Sequence, residues 1–218
     1  MKATVLDFVA GGLLVVVIAL LAGAFALLAI APASTALVGV YHVLVDFFAG
    51  LLFYGLFSAA AIRVLVALRP LRPGEYEADD RAFAYWKLLT IVHHLGHAAL
   101  VPLTPVFARP LVARLFGARV GRDVAIGGRI DDPWMVTLGD GVVLGNQSLV
   151  SANMLAGGRL VVGRVSIGTG STIGANAVVL PGVTIGERVI LIGGAITPPG
   201  TTIPDGETWR GNPARKWQ

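Results

Sequence analysis

The sequence predicts an α+β membrane protein in which a transmembrane helical hairpin and an interfacial helix precede a solenoid of short strands. Three observations support this fold class. Two long apolar segments cover 8–31 and 36–62, a period of six residues runs from 120 to 208, and the chain is 55% hydrophobic with a mean hydropathy of +0.76. A soluble globular chain is less apolar, so the composition indicates a membrane.

The period of six depends on one aliphatic position in each repeat. Gly commonly follows that residue, and a small or branched residue lies four places after it. An amphipathic helix repeats at three and four residues and a strand at two, whereas a fixed longer period indicates stacked coils. Three hexads make one triangular coil, which gives roughly five coils. The main aliphatic positions are Ile126, Leu138, Leu144, Val150, Ile167, Ile173, Val179, Ile185, Leu191 and Ile203.

This repeat resembles the left-handed parallel β-helix of the hexapeptide-repeat acyltransferases. The segment 209–215 (WRGNPAR) is similar to the G-x-P-A close of such enzymes, and 191–198 (LIGGAITP) is similar to their closing repeat. With Thr104, the segment 115–121 (LFGARVG) resembles a membrane-bound branch that includes the carboxyl-terminal region of ε-polylysine-synthetase-type peptide synthetases. The resemblance implies a left-handed β-helix over 119–218 that forms a homotrimer.

The first apolar segment, 8–31, has no charged residue and is long enough to span a bilayer core of about 30 Å. It is too long, and its start too weakly basic, for a secretory signal. We interpret 31–35 (APAST) as a short turn and 36–62 as a second span, which makes 1–72 a transmembrane hairpin. Lys2 precedes the first span and three Arg residues follow the second. The positive-inside rule therefore predicts that both ends lie in the cytoplasm.

Two ionisable residues, His42 and Asp46, lie one helical turn apart in the second span and share a helix face. An ionisable residue within a span is a functional candidate. The favoured interpretation is a polar pair that fixes helix association.

The region 73–118 is predicted to contain a polar linker and interfacial helices. The segment 82–101 is apolar enough for a third span, but Lys87 and three His residues favour a helix that lies at the membrane surface. A third span would move the β-helix to the other side of the membrane. A short helix over 110–116 follows, with Pro110 in its first turn and Gly117 after its end.

Composition limits the possible chemistry. The chain has no Cys, which excludes disulfides, thiolate nucleophiles and Cys-ligated metals. Its formal net charge is +4, and the basic residues lie beside apolar segments, which favours anionic lipid or a cofactor phosphate over nucleic acid. No His follows His97, so the three His ligands of a γ-carbonic anhydrase are missing, and no metal site is predicted.

The resemblance implies that acetyl-CoA or another acyl-CoA is the donor, with its pantetheine arm between two β-helices of the trimer. The implied cofactor-binding residues are Gly193, Gly194 and Ala195, with Arg215 and Lys216 near the phosphates. Gly permits close backbone approach, and cationic side chains suit phosphate oxygens. Alternatively, the two Gly residues are ordinary corners and Arg215 belongs to a solvated tail.

The hexad phase slips between 150 and 167, where related enzymes carry a His in a loop. Alignment on Arg159 and on 165–168 (VSIG) puts Asn153 at that position. Asn accepts no proton at neutral pH, although it can orient a nucleophile or donate to an oxyanion. Three explanations stay open: an inactive site, a reactive amine acceptor with or without help from Asp131 or Asp132, or a base on the helix before the solenoid. The candidate bases there are His93, His94 and His97.

A second departure from the repeat lies at 130–134 (IDDPW), where Asp132 is predicted to occupy an aliphatic slot. Trp134 either lines an acceptor pocket or covers the side of the coil. Arg159 either binds an anionic acceptor or holds the loop. These two residues are the candidate substrate-binding residues.

Two function classes follow. The first is a membrane-anchored acyltransferase in the cytoplasmic membrane, with its β-helix on the cytoplasmic side, that uses acetyl-CoA for O- or N-acetyl transfer to a membrane-associated sugar, lipid or amine. The second is a catalytically silent relative that serves as a structural or accessory subunit of a larger membrane complex.

Overall fold

The structure, a computed structural model, describes residues 5–217. The chain forms two compact units. One comprises Met1–Arg69 and Ala84–Pro105, and the other comprises Pro70–Phe83 and Val106–Gln218.

The first unit is helical. Helix α1 (Val5–Phe25) continues through a π-helical turn (Ala26–Ile30) into α2 (Ala31–Val38), and a 3-10 turn (Gly39–Tyr41) leads to α3 (His42–Leu68). The predicted turn at 31–35 is therefore wrong. Pro32 follows the π-helical turn directly and lies in the first turn of α2. The helical backbone breaks at Gly39, whose φ of 56° and ψ of −129° suit glycine.

Helices α1 and α3 contact each other. The ring centroid of Phe25 lies 4.2 Å from that of Phe53 and 6.2 Å from that of Phe57. Among the described residues, the helical run Gly11–Leu68 is the segment long and apolar enough to cross a membrane. A core helix of a soluble protein would be mostly buried, whereas 17% of the most apolar window is buried here. This run is therefore suited to anchor the chain in a membrane.

Two further helices precede the solenoid in sequence. Helix α4 (Arg81–Leu100) corresponds to the predicted helix at 82–101, and α5 (Arg109–Leu115) to the one at 110–116. Three 3-10 turns complete the helical elements: Val101–Leu103, Val106–Ala108 and Pro133–Met135.

The second unit is a β-solenoid with three parallel faces. The first face contains β2 (Arg119–Val120), β5 (Val136–Leu138), β10 (Val165–Ile167), β13 (Thr184–Ile185) and β16 (Thr202–Ile203). The second contains β3 (Ala125–Ile126), β6 (Val143–Leu144), β11 (Thr172–Ile173), β14 (Ile190–Leu191) and β17 (Thr208–Arg210), which β18 (Arg215–Lys216) joins antiparallel. The third contains β4 (Arg129–Asp131), β7 (Leu149–Ser151), β12 (Val178–Val179) and β15 (Ile196–Thr197).

The register confirms the predicted hexad coils. Ile167 pairs with Ile185, and Ile173 pairs with Leu191, so residues three hexads apart stack in neighbouring coils. These aliphatic side chains are at most 2% exposed and form a continuous core. The small residue that lies four places after each of these aliphatic residues is equally buried, for example Ala177 after Ile173. The left-handed winding stays a prediction.

Where the hexad phase slips, between 150 and 167, the structure has a hairpin inserted into the solenoid. Strand β8 (Asn153–Ala156) pairs antiparallel with β9 (Arg159–Val162) across a turn at Gly157 and Gly158, both of which have positive φ. Strand β1 (Gly74–Tyr76), from the predicted polar linker, adds to the other edge of β9. The sequence alone did not predict that strand.

One sequence assignment in the first coil is wrong. Asp132 does not occupy the aliphatic slot, because Ile130 pairs with Val150 and is 8% exposed. The preceding corner is tight: a Cβ on Gly128 would lie 2.2 Å from the carbonyl oxygen of Ser148. The aliphatic position of this repeat is therefore Ile130, two residues before the position that the hexad period predicts. Asp132 lies in the bulge that follows.

Candidate functional site

The inserted hairpin brings Asn153 against Asp132. Asn153 Nδ2 donates a hydrogen bond of 2.6 Å to Asp132 Oδ2. Asp132 is 2% exposed and has a φ of 54°, a left-handed backbone that Asp tolerates better than most residues. Asn153 begins β8 and is half-buried. The two departures from the plain repeat, far apart in sequence, thus form one site.

Neighbouring polar groups support this pair. Ser151 Oγ donates to the carbonyl oxygen of Asn153 at 2.8 Å, and Ser151 is 4% exposed. Asp131 pairs with Ser151 in the β4–β7 register and forms an ion pair with Arg129, with Nε 3.1 Å from Oδ1. The carboxyl and amide groups therefore lie just beyond the ends of β4 and β7 on the third face.

The candidate substrate residues lie close to this pair in sequence, Trp134 two residues after Asp132 and Arg159 six residues after Asn153. Trp134 is half-buried and packs on Gly117, where an added Cβ would lie 3.2 Å from the Trp134 Cβ. Arg159 is 54% exposed and forms ion pairs with Glu77 at 2.7 Å and Glu75 at 3.8 Å. Both arrangements favour structural roles, in coverage of the first coil and in the attachment of the segment 74–77 to β9.

The candidate bases lie on α4, in the helical unit, whereas Asn153 belongs to the solenoid unit. The ring of His93 lies 5.5 Å from that of His94 and 5.8 Å from that of His97, centroid to centroid. His93 is 4% exposed. The three rings therefore form one cluster, and its use as a base stays a prediction.

The candidate cofactor residues fall into two groups. Gly193, Gly194 and Ala195 form a corner, where the Gly194 N–H donates to the Ala175 carbonyl at 2.8 Å. Gly193 and Gly194 are exposed and Ala195 is buried. Backbone can therefore be approached closely at the two Gly residues.

The second group lies at the C-terminal end of the solenoid. A cavity of about 480 Å³ is lined by Arg210, Gly211, Arg215, Lys216 and Trp217. The Arg210 guanidinium lies 4.9 Å above the ring of Trp217. Three cationic side chains around an exposed aromatic ring suit a ligand that carries phosphates and a base.

Glu207 limits the charge of this cavity. Its carboxylate accepts hydrogen bonds from Lys216 Nζ at 2.6 Å and from Trp209 Nε1 at 2.8 Å. These bonds, that from Lys216 first, hold the pKa of Glu207 below its ordinary value of 4.5. Lys216 is thus partly neutralised, and Arg210 and Arg215 are the stronger candidates for phosphate. Sequence reasoning missed Arg210, because only the pairing of β17 with β18 brings it beside Arg215.

A separate polar cluster lies in the helical unit. Asp46 accepts a hydrogen bond from Ser34 at 2.6 Å, and its other oxygen lies 2.8 Å from His42 Nδ1. The sequence predicted the pair of His42 and Asp46 but missed Ser34, which had been assigned to a turn. Among the described residues, no group of three or more His, Cys, Asp or Glu side chains is arranged to hold a metal ion.

The chain matches no family model and no curated protein. Its solved structural neighbours include hexapeptide-repeat acetyltransferases. One, from Vibrio cholerae O1 biovar eltor and complexed with acetyl coenzyme A, is 22% identical over 47% of this chain and 60% of its own, with a TM-score of 0.43. A maltose O-acetyltransferase from Clostridium difficile 630 is 21% identical over 68% of this chain and 93% of its own, with a TM-score of 0.46. PerB from Caulobacter crescentus, complexed with CoA and GDP-perosamine, is 26% identical over 47% of this chain and 52% of its own, with a TM-score of 0.34.

This chain thus spans about three fifths of the length of the Vibrio protein. Likenesses at these TM-scores do not carry a reaction over to this chain. Its function therefore has to be argued from its own residues.

Proposed function

We propose that this chain is a membrane-anchored acyltransferase that transfers an acetyl or other acyl group from coenzyme A to a membrane-associated acceptor. The observation that carries the proposal is the hydrogen bond of Asn153 to the buried Asp132 carboxyl group, at the point where the hairpin interrupts the hexad solenoid. The family resemblance implies a catalytic His at this point.

The donor would bind at two places on the solenoid. The exposed corner at Gly193 and Gly194 admits the pantetheine arm, because no side chain blocks the backbone. The cavity formed by Arg210, Arg215 and Lys216 supplies cations for the phosphates. In a homotrimer, which the resemblance implies, a neighbouring copy would form the other wall of the donor groove.

The Asn153 amide has a defined orientation. Its Nδ2 donates to Asp132, so its Oδ1 is the atom that accepts a hydrogen from the acceptor. A carboxylate so close to Nδ2 also repels a developing oxyanion. We therefore assign Asn153 to orientation of the acceptor rather than to stabilisation of the oxyanion.

The transfer itself forms one bond and breaks one. The acceptor nitrogen or oxygen attacks the thioester carbonyl carbon, the carbon–sulfur bond breaks, and the thiolate leaves with the proton that the acceptor loses. Asn cannot remove that proton, so an amine that already holds a free lone pair is the better acceptor. The alternative is a hydroxyl acceptor served by a separate base, for which His93, His94 and His97 are the candidates.

The helical unit would anchor the enzyme as a transmembrane hairpin. In one straight helix, Phe25 and Phe53 would lie roughly 40 Å apart at ~1.5 Å per residue. Their ring centroids are 4.2 Å apart, which supports a chain that reverses near Gly39. The basic residues after α3 then favour a cytoplasmic solenoid.

A second candidate function is a silent accessory subunit of a membrane complex. The observation in its favour is again Asn153, because loss of a general base costs about 10² to 10⁴ in rate. Both candidate functions use the same fold, so binding of the acyl-CoA donor is the property that distinguishes them.

The test is calorimetric titration of acetyl-CoA into detergent-solubilised protein. We expect micromolar binding that Arg215→Ala weakens about tenfold, since a charge-assisted phosphate contact is lost. The control is Arg188→Ala, because Arg188 is equally exposed but pairs with Glu187 on the side of a coil. The accessory-subunit proposal predicts no binding by any of the three proteins, and equal binding by all three would refute the assigned donor site.

A further inference from the structure

Three large apolar side chains at the start of the solenoid unit face outwards. Val106 is 63% exposed, Phe107 is 87% exposed and Leu111 is 57% exposed. They lie on the 3-10 turn at Val106–Ala108 and on α5, within six consecutive residues. We call these three residues the apolar patch. None of them takes part in the proposed acyl transfer.

The segment that carries the apolar patch packs against the solenoid unit. On the other side of α5, Val112 is 8% exposed and Phe116 is fully buried. Arg109 donates to the carbonyl oxygens of Ile126 and Gly127, both at 3.3 Å, which ties the segment to the first coil. The exposed side chains are therefore a fixed surface feature of the unit.

The charges around the patch have one sign. No Asp or Glu occurs between Asp80 and Asp123, whereas that stretch contains six basic residues. Arg114 and Arg119, which follow the patch directly, are exposed. The Asp140 carboxylate pairs with Arg122 at 3.0 Å. The basic residues of the stretch are Arg81, Lys87, Arg109, Arg114, Arg119 and Arg122.

We propose that the apolar patch docks on the surface of an anionic lipid bilayer. Phe107, Val106 and Leu111 enter the boundary between headgroups and acyl chains, and Arg119 lies at the lipid phosphates. Arg114 adds positive charge to this surface, and its guanidinium donates to the carbonyl oxygens of Val120 and Gly121. A second copy of the same surface is a poorer partner, since it would bring the same Arg side chains together. The proposal does not depend on the acyl transfer, and it adds a second membrane contact, on the solenoid unit itself.

The experiment uses the whole 218-residue chain, which has no native Cys. Phe107→Cys carries a nitroxide label, and the protein is placed in nanodiscs with phosphatidylglycerol. The matched control is Leu155→Cys, because Leu155 is also an exposed apolar residue of this unit, 50% exposed, but lies on the hairpin. There the basic residue Arg159 is paired with Glu75 and Glu77. Accessibility to oxygen and to a water-soluble nickel complex gives the depth of each label.

We expect the label at 107 to lie about 5–10 Å below the headgroup surface and the label at 155 to lie in water. In the labelled protein, Arg119→Ala should lower the population ratio of bilayer-docked to undocked protein about fivefold in nanodiscs with phosphatidylglycerol. The same substitution should change this ratio little in nanodiscs of phosphatidylcholine alone. Equal access of the nickel complex at 107 and 155 would overturn the proposal. So would a label at 107 that neither reagent reaches, because that result means a protein partner.

Discussion

At the scale of single residues, the pair of Asn153 and Asp132 is the feature with the most chemical content. The Asp132 carboxyl group lies 2.6 Å from the nitrogen that an imidazole at position 153 would replace. A carboxylate at that place orients a His and stabilises its protonated form. A His at position 153 would therefore lie within hydrogen-bond distance of a buried carboxyl group.

We predict that Asn153→His raises kcat and adds an inflection to its pH profile above 6.5, the ordinary pKa of His, because the Asp132 carboxylate favours the protonated ring. The gain is about 10² for a hydroxyl acceptor, since a base adds 10² to 10⁴. The measurement is acetyl transfer to an acceptor pool between pH 5 and 9. The added Asp132→Asn substitution should lower the new inflection, and a His variant with the original pH profile would show that residue 153 lies away from the reacting atoms.

A second residue-scale prediction concerns Glu207. Its pKa is depressed below 4.5 in the folded chain by Lys216 and Trp209, so its contribution to stability is present above pH 4.5 and is lost as the pH falls through the folded value. We expect Glu207→Gln to lower Tm at pH 7 and the difference from the natural chain to shrink towards pH 3. Lys216→Met should reproduce part of this effect. A difference in Tm that is the same at both pH values would contradict the assignment.

At the scale of elements, the corners of the solenoid determine how closely the coils stack. Gly174 has no room for a side chain, because an added Cβ would lie 2.3 Å from the backbone nitrogen of Gly193 in the next coil. At Gly193 the corresponding Cβ would lie 3.0 Å from the Ala175 carbonyl oxygen. The two positions share one stacked corner but differ in the space available.

We predict that Gly174→Ala lowers the free energy of unfolding by about 3 kcal/mol, because backbone has to move, and that Gly193→Ala costs about 1 kcal/mol. Chemical denaturation of the two variants checks the difference. Gly193→Ala also tests the donor site, since it should weaken acetyl-CoA binding while the fold survives. Equal losses of stability would mean that the coils are not packed as tightly as the corner indicates.

At the same scale, some strands could be predicted from the sequence and others could not. The hexad period predicted the strands of the solenoid, because each repeat carries its own aliphatic residue and corner. It did not predict β1, since Gly74–Tyr76 has no strand pattern and is a strand only because β9 offers it an edge. The assignment of Asp132 was wrong for a similar reason, because the tight corner at Gly128 shifts the register of the first coil.

At the scale of the whole molecule, the proposed hairpin predicts on which side of a membrane each part lies. Val40, in the turn between α2 and α3, is 81% exposed. A hairpin with both ends in the cytoplasm puts this residue outside the cytoplasmic membrane and the solenoid inside.

We predict that a membrane-impermeant maleimide labels Val40→Cys in intact cells and labels Leu155→Cys only after lysis. The natural chain, which has no Cys, is the blank for both. Labelling of Leu155→Cys in intact cells would mean that the solenoid lies outside, as a third span over α4 would require.

The sequence by itself determined the features that repeat or that accumulate along the chain. These are the coils of the solenoid, the apolar helices at the start, the basic stretch between Asp80 and Asp123, and the absence of His after His97. Each depends on local pattern or on composition, which needs no partner elsewhere in the chain.

Tertiary structure alone decided the contacts that make up the sites. It joined Asn153 to Asp132, Ser34 to Asp46, and Arg210 to the cavity beside Arg215. The physical reason is that such contacts depend on strand register, helix reversal and corner length. A shift of one residue in any of these redirects a side chain to another face, so a sequence pattern does not specify which polar groups meet.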